Sequence, residues 1–252
     1  MTVPVVAESN FKYHKVEKIE CMLSNIKRSA ALEILLRLSR TPLGIKFVTT
    51  STDEPLHPPK ASFTPLSSCA FWTQGVNEPF STELEHHMNC SVGAYVHGFK
   101  TLEEIGPGCG CEDVEFLLKI GRFDKQNLAY IPHLHVRPIK IIYSPLSKMK
   151  DEPDVVLLFT IPSQAQLLFE AAKRAGIPTT FHGMPTCAII PTSIHSQSVA
   201  FGLGCKTSRL RAGYRNEEIV VALTPNVLDK LLEHLDRLVQ SERELVRYES
   251  KL

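Results

Sequence analysis

Short apolar runs bounded by polar residues constrain this chain most. Asp154 to Phe159 reads DVVLLF, Glu218 to Leu223 reads EIVVAL, and Ile139 to Tyr143 is a third run. Such runs are strands buried on both faces, because a strand with one wet face places a polar residue at every second position. Ser198–Leu203 and Leu43–Thr49 (LGIKFVT) add two more strands, the last alternating in part. A sheet buried on both sides needs helices over it. One runs from after DVVLLF to Gly176, with Ser163 as its expected N-cap, Gln166 at capping-box spacing, and Gly176 and Pro178 closing it. Thr224 caps a second, with Pro225 at its first position and Val227, Leu228, Leu231, Leu232, Leu235 and Leu238 on one stripe. The charged tail from Gln240 is expected to be solvated and to extend it. Val16–Arg40 forms a third helix, ended by Thr41 and Pro42. The pattern predicts an α/β fold, with α+β open. Residues 43–252 form a single compact domain with a mixed sheet flanked by helices, and residues 1–42 an N-terminal helical extension.

The chain has 252 residues, enough for one sizeable core. A formal net charge of +1 gives no electrostatic case for nucleic acid. No stretch approaches the ~20 apolar residues of a membrane span. Met1–Asn10 lacks the positive segment and apolar run of a secretory signal, so the expected location is cytoplasmic, with no membrane partner. Whether the N-terminal helix docks on its own domain or on a second copy, making a homo-oligomer, is open. Seven cysteines, an odd number, are expected to be reduced there, as core residues, ligands or reactive thiols.

Ser51–Pro65 is a polar, proline-rich loop, and Ser67–Gly98 mixes Cys, Trp, His and Asn without a clean period. Segments that defy periodicity often carry function, since their residues are chosen for chemistry. Cys69 stands in SSCAFW and Cys90 in HHMNCSVGA; Cys187 stands in GMPTCAIIP and Cys205 in FGLGCKTSR. Small neighbours free backbone N–H groups for a thiolate. The spacing matches neither zinc-finger nor ferredoxin patterns. On spacing alone, buried thiols acting as small hydrophobes are the simpler reading.

Around them, His87 lies three before Cys90 and shares its face if the segment is helical, as a proton donor or ligand. Arg209, four after Cys205, carries a guanidinium suited to a substrate carboxylate or phosphate; Arg211 and Tyr214 follow. His182 precedes Cys187 by five and is a further neighbour. His133 and His135 form H-x-H on an expected strand. Trp72, the only tryptophan, either walls the pocket or fills the core, the core being the simpler reading. Cys21 sits in an apolar helical stretch as a core residue. Cys109 and Cys111, in the turn GPGCGC, are a soft-metal pair or incidental thiols. No G-x-S-x-G elbow, Walker motif or dinucleotide fingerprint is present.

The stretch from about Leu43 to Leu238 resembles the prokaryotic family known as domain of unknown function 169. The matching elements are LGIKF, CAFWTQG, EHHMNCSVGA, PDVVLLF with its helix, PTCAIIP, and LGCKTSR followed by GYRNEE. The family pattern carries over at Cys69, Cys90, Cys187 and Cys205; GPGCGC is a local addition. The resemblance implies a metal or iron–sulfur site on those four thiolates. The function expected from it is an iron–sulfur enzyme, with a 4Fe-4S cluster favoured, acting on a small molecule near His87 and Arg209. The lyase, hydrolase and oxidoreductase classes are all open. A zinc-binding hydrolase and a non-enzymatic haem- or metal-binding sensor are the alternatives.

Overall fold

A computed structural model describes residues 6–50 and 67–251 apart from residue 109. The proline-rich loop over residues 51–65 and Cys109 lie outside the described residues. Helices α1 (Val6–Leu36), α2 (Ala70–Gly75), α3 (Ser91–Val96), α4 (Glu112–Lys119), α5 (Lys125–Ala129), α6 (Pro162–Arg174), α7 (Ile189–Ser196), α8 (Lys206–Arg211) and α9 (Pro225–Glu249) surround one sheet. Its strands are β1 (Leu43–Val48), β2 (Phe80–Thr82), β3 (Lys140–Pro145), β4 (Val155–Thr160), β5 (Thr179–His182), β6 (Val199–Gly202) and β7 (Ile219–Leu223).

The strand order is β2-β3-β1-β4-β7-β6-β5. Neighbours are antiparallel except β5 and β6, which run parallel, so the sheet is mixed. Among the described residues no helix is long and apolar enough to cross a membrane.

Each central strand feeds two cores. Val155, Leu157 and Phe159 of β4 join one apolar cluster, while Val156 and Leu158 join the other. In β7, Val220 and Ala222 face the first side, and Val221 and Leu223 the second. This explains the unbroken apolar runs: a strand covered on both sides has no wet position to mark with a polar residue.

The second side is a support layer of α1, α6 and α9. Leu32 and Leu36 of α1, Leu168 of α6, and Leu228, Leu231 and Leu235 of α9 are buried together. Thr224 caps α9 as expected, its Oγ1 accepting from Val227 N–H at 3.4 Å, and α9 continues through the charged tail to Glu249. Arg28 of α1 ties the layer together. It donates to both carboxylate oxygens of Asp229 (2.8 and 2.6 Å) and to Glu152 at 2.9 Å. Helix α1 stops at Leu36, earlier than Thr41 and Pro42 suggest, because Arg37 takes a left-handed conformation (φ 52°).

Two local expectations are corrected. Helix α6 starts one residue before Ser163, with Pro162 at its first turn; the box is closed by Gln164, whose Oε1 accepts from Ile161 N–H at 2.9 Å. A proline lacks the N–H that the first turn leaves unpaired, so it takes the start. His133 and His135 lie in irregular chain before β3, not on a strand.

Candidate functional site

The other side of the sheet carries shorter, less regular elements, and the cysteines lie among them. Cys69 immediately precedes α2, Cys90 precedes α3, and Cys205 precedes α8. Cys187 lies in a single 3-10 turn, Thr186–Ala188, that leads into α7. Each thiol thus stands where a helical segment begins and backbone N–H groups lack intrahelical acceptors. At Cys205 one such group is in use: Ser208 N–H donates to its Sγ at 3.4 Å.

All four line one cavity of about 300 Å³. They come from four separate segments, and Cys69, Cys90, Cys187 and Cys205 are all free thiols. Among the described residues, no group of three or more His, Cys, Asp or Glu side chains is arranged to hold a metal ion. The remaining wall is apolar, with Phe116, Leu117, Phe123 and Met184, while Lys206, Thr207 and Arg211 supply polar groups. Phe116 and Leu210 flank it while 60% and 69% exposed, so the cavity has an apolar lip. Lys206 and Arg211 pair with no acid among the described residues. Asp113, the acid on the wall, is engaged by Ser91 N–H at 2.8 Å.

Burial separates the thiols electrostatically. It pushes Cys69, Cys90 and Cys187 up, and at Cys69 and Cys187 the neighbouring cysteines add to the effect. Burial acts on Cys205 in the same sense, but hydrogen bonds from Ser208 and Thr186 outweigh it and leave this thiol below its ordinary value.

Close packing holds Cys90 in place. A Cβ on Gly93 would come within 2.4 Å of Ser68 Oγ and 2.8 Å of Cys90 Sγ, so only glycine lets α3 sit there. Behind Cys90 lies a buried polar layer. His87 is 1% exposed, with Nδ1 2.9 Å from Ser68 Oγ and Nε2 2.8 Å from Thr82 Oγ1. Its ring packs against Phe71 and Phe99, each with centroids 4.9 Å away, and edge-on to His97 at 5.8 Å. His97 is fully buried, and neither of its ring nitrogens has a hydrogen-bond partner among the described residues.

The other sequence candidates fall elsewhere. The Arg209 guanidinium is spent on backbone carbonyls: Leu203 at 2.5 Å, Glu218 at 3.2 Å, and Arg215. It closes over Gly204, which holds φ +79°. Arg211 is the arginine on the cavity wall. His87 stands behind the wall and His182 binds Thr192 Oγ1 at 3.0 Å. Trp72 is a core residue, fully buried and stacked on Tyr214. Cys21 is half-buried on α1 beside Glu152. Cys111 Sγ donates to the Glu104 carbonyl at 3.4 Å. Lys206 and Phe116 were not marked by any sequence signal, since a lysine beside a cysteine and a phenylalanine in an amphipathic helix are ordinary residues.

The model of the family domain of unknown function 169, described as uncharacterised ArCR, matches residues 31–234. A protein of Methanocaldococcus jannaschii, itself named only as uncharacterised, is 26% identical over 163 residues, 60% of this chain and 67% of that protein. No solved structure matches. The family match spans most of the chain, which belongs to that family.

Proposed function

We propose that this member of the domain of unknown function 169 family holds an iron–sulfur cluster, 4Fe-4S by preference, on Cys69, Cys90, Cys187 and Cys205, and acts on a small anionic molecule in the same cavity. The observation that carries this reading is the meeting of four free thiols from four separate segments around one cavity of about 300 Å³.

The donor set suits soft metals. Burial disfavours isolated thiolates at three of the positions, and a bound cation reverses that preference by supplying the largest local positive charge. A lone zinc ion draws four sulfurs to ~2.3 Å from one point. The preference for a cluster over a lone zinc ion rests on the family resemblance of the four cysteines. When bound, such a centre supplies redox capacity or Lewis acidity at an open iron.

The chain's own residues would do the rest. Lys206 and Arg211 meet the anionic group, and Arg211 presents a planar fork suited to carboxylate or phosphate. Phe116, Phe123 and Met184 keep water from the cavity's apolar side. Reduced thiols fit the cytoplasm, where this reading places the protein.

The test is metal and acid-labile sulfide content with a visible spectrum, on protein purified without oxygen. Iron with matching sulfide, about four of each per chain, is expected, and replacing any of the four cysteines by Ser should lower both. Stoichiometric zinc, a haem Soret band, or no metal would overturn the reading.

A further inference from the structure

Two helices meet at the cavity with different chemistry. From α8, Lys206, Thr207, Leu210 and Arg211 line it, the i, i+1, i+4 and i+5 positions of one helix face. The rest of α8 is committed elsewhere: Ser208 is buried, and the Arg209 guanidinium donates to the carbonyls of Leu203 and Glu218. Arg211 is therefore the α8 guanidinium open to a ligand, with Lys206 on the same wall. From α4, Phe116 and Leu117 line the cavity, and Phe123 continues that apolar surface. Phe116 and Leu210 carry it out to the mouth, where they are 60% and 69% exposed.

Two features narrow what fits between these walls. A ligand that only neutralised Lys206 and Arg211 would leave the apolar wall and both lip side chains in water. A hydrocarbon body laid along them removes that surface from water. Helix α4 also brings Asp113 to the wall, fixed by Ser91 N–H at 2.8 Å. Its carboxylate repels a second negative charge on the ligand, which favours a monoanion over a phosphate ester.

We infer that the cavity takes a monocarboxylate with a hydrocarbon body, its carboxylate against Arg211 and Lys206 and its body against Phe116, Leu117 and Phe123. This rests on the proposed reading of the cavity as the substrate site, not on which metal it holds. Specificity then divides between two side chains: Arg211 selects the acid group, and Phe116 selects the length of the body.

NMR titrations of the full chain, purified without oxygen, test this with acetate, hexanoate, hexan-1-ol and hexyl phosphate. Each methylene that leaves water strengthens binding about fourfold at most, so hexanoate should bind at least about tenfold more tightly than acetate. It should also bind more tightly than the alcohol and the phosphate. Phe116→Ser should shrink the hexanoate-to-acetate ratio and spare the acid-to-alcohol ratio; Arg211→Gln should do the reverse. Both side chains are exposed, so neither change opens the core. Asp113→Asn should bring hexyl phosphate closer to hexanoate. Equal affinity for acetate and hexanoate, hexyl phosphate binding as tightly as hexanoate, or ratios unmoved by Phe116→Ser and Arg211→Gln overturn the inference. Iron and sulfide are measured on the same samples. Failed ratios in protein that holds its iron overturn this inference alone, and absence of iron sinks the cluster reading while the ratios still decide this one.

Discussion

The two sides of the sheet are built differently. The support side is three helices that bury aliphatic residues against the sheet, with Arg28 clamping α1 to Asp229 and Glu152. Its polar groups are satisfied at its edges. The site side is made of short helices and turns, and it buries Ser68, Thr82, His87 and His97 within a layer of aromatic rings. One side maximises burial. The other accepts buried polar groups, including an imidazole with no hydrogen-bond partner among the described residues. Proteins concentrate such violations of packing logic where chemistry requires particular groups.

The sharpest way to break this contrast is to damage the support side alone. Leu231→Ala removes a fully buried side chain from α9 and should cost about 2–5 kcal/mol, measured by urea unfolding. The number of thiols that react in the folded state should not change. If it does, the two layers are coupled and the division fails.

The next largest effect is a pH dependence confined to the site side. Burial lowers His97 to about 4 in the folded chain, against an ordinary value of about 6.5 when unfolded. Between those values the unfolded chain binds the extra proton. The stability from keeping His97 neutral is therefore complete above about pH 6.5 and is lost as pH falls toward 4. The loss is on the order of 3 kcal/mol. Urea midpoints across this window should fall steeply in the parent and more gently in His97→Phe. Equal slopes would mean that His97 is not held neutral by burial.

The smallest effect sharpens the contrast. Gly93→Ala adds one methyl group between Ser68 and Cys90 and should cost about 1–3 kcal/mol, less than the support-side cut. If the proposed cluster is bound, iron content should fall far more in Gly93→Ala than in Leu231→Ala. Equal loading in the two variants would show that the Ser68–Cys90 contact is dispensable.

The support side was legible in the sequence because its physics is periodic. DVVLLF, EIVVAL and the α9 stripe each report burial directly, and Thr224 with Pro225 marks a helix start. Strand β5 was missed because Thr179–His182 sits at the sheet edge and carries polar residues. Helix α7 was missed because Pro191 and β-branched residues disguise it, though proline is tolerated in a first turn. On the site side, small residues flagged each cysteine's neighbourhood, but nothing local says that four distant loops converge. That depends on the strand order. Arg209 and Arg211 look equivalent in sequence; their different roles follow from which side of α8 faces the carbonyls of Leu203 and Glu218.

The cavity also has a consequence in time. Cys69 and Cys90 belong to the first half of the chain, Cys187 and Cys205 to the last third. At ~5–20 residues per second, roughly 6–23 s of synthesis separate Cys90 from Cys205. Throughout that interval the ribosome displays two thiols whose opposite wall does not yet exist. A nascent chain therefore cannot complete the site as it emerges. The four sulfurs can line one cavity only after Cys205, which follows β6, has been made.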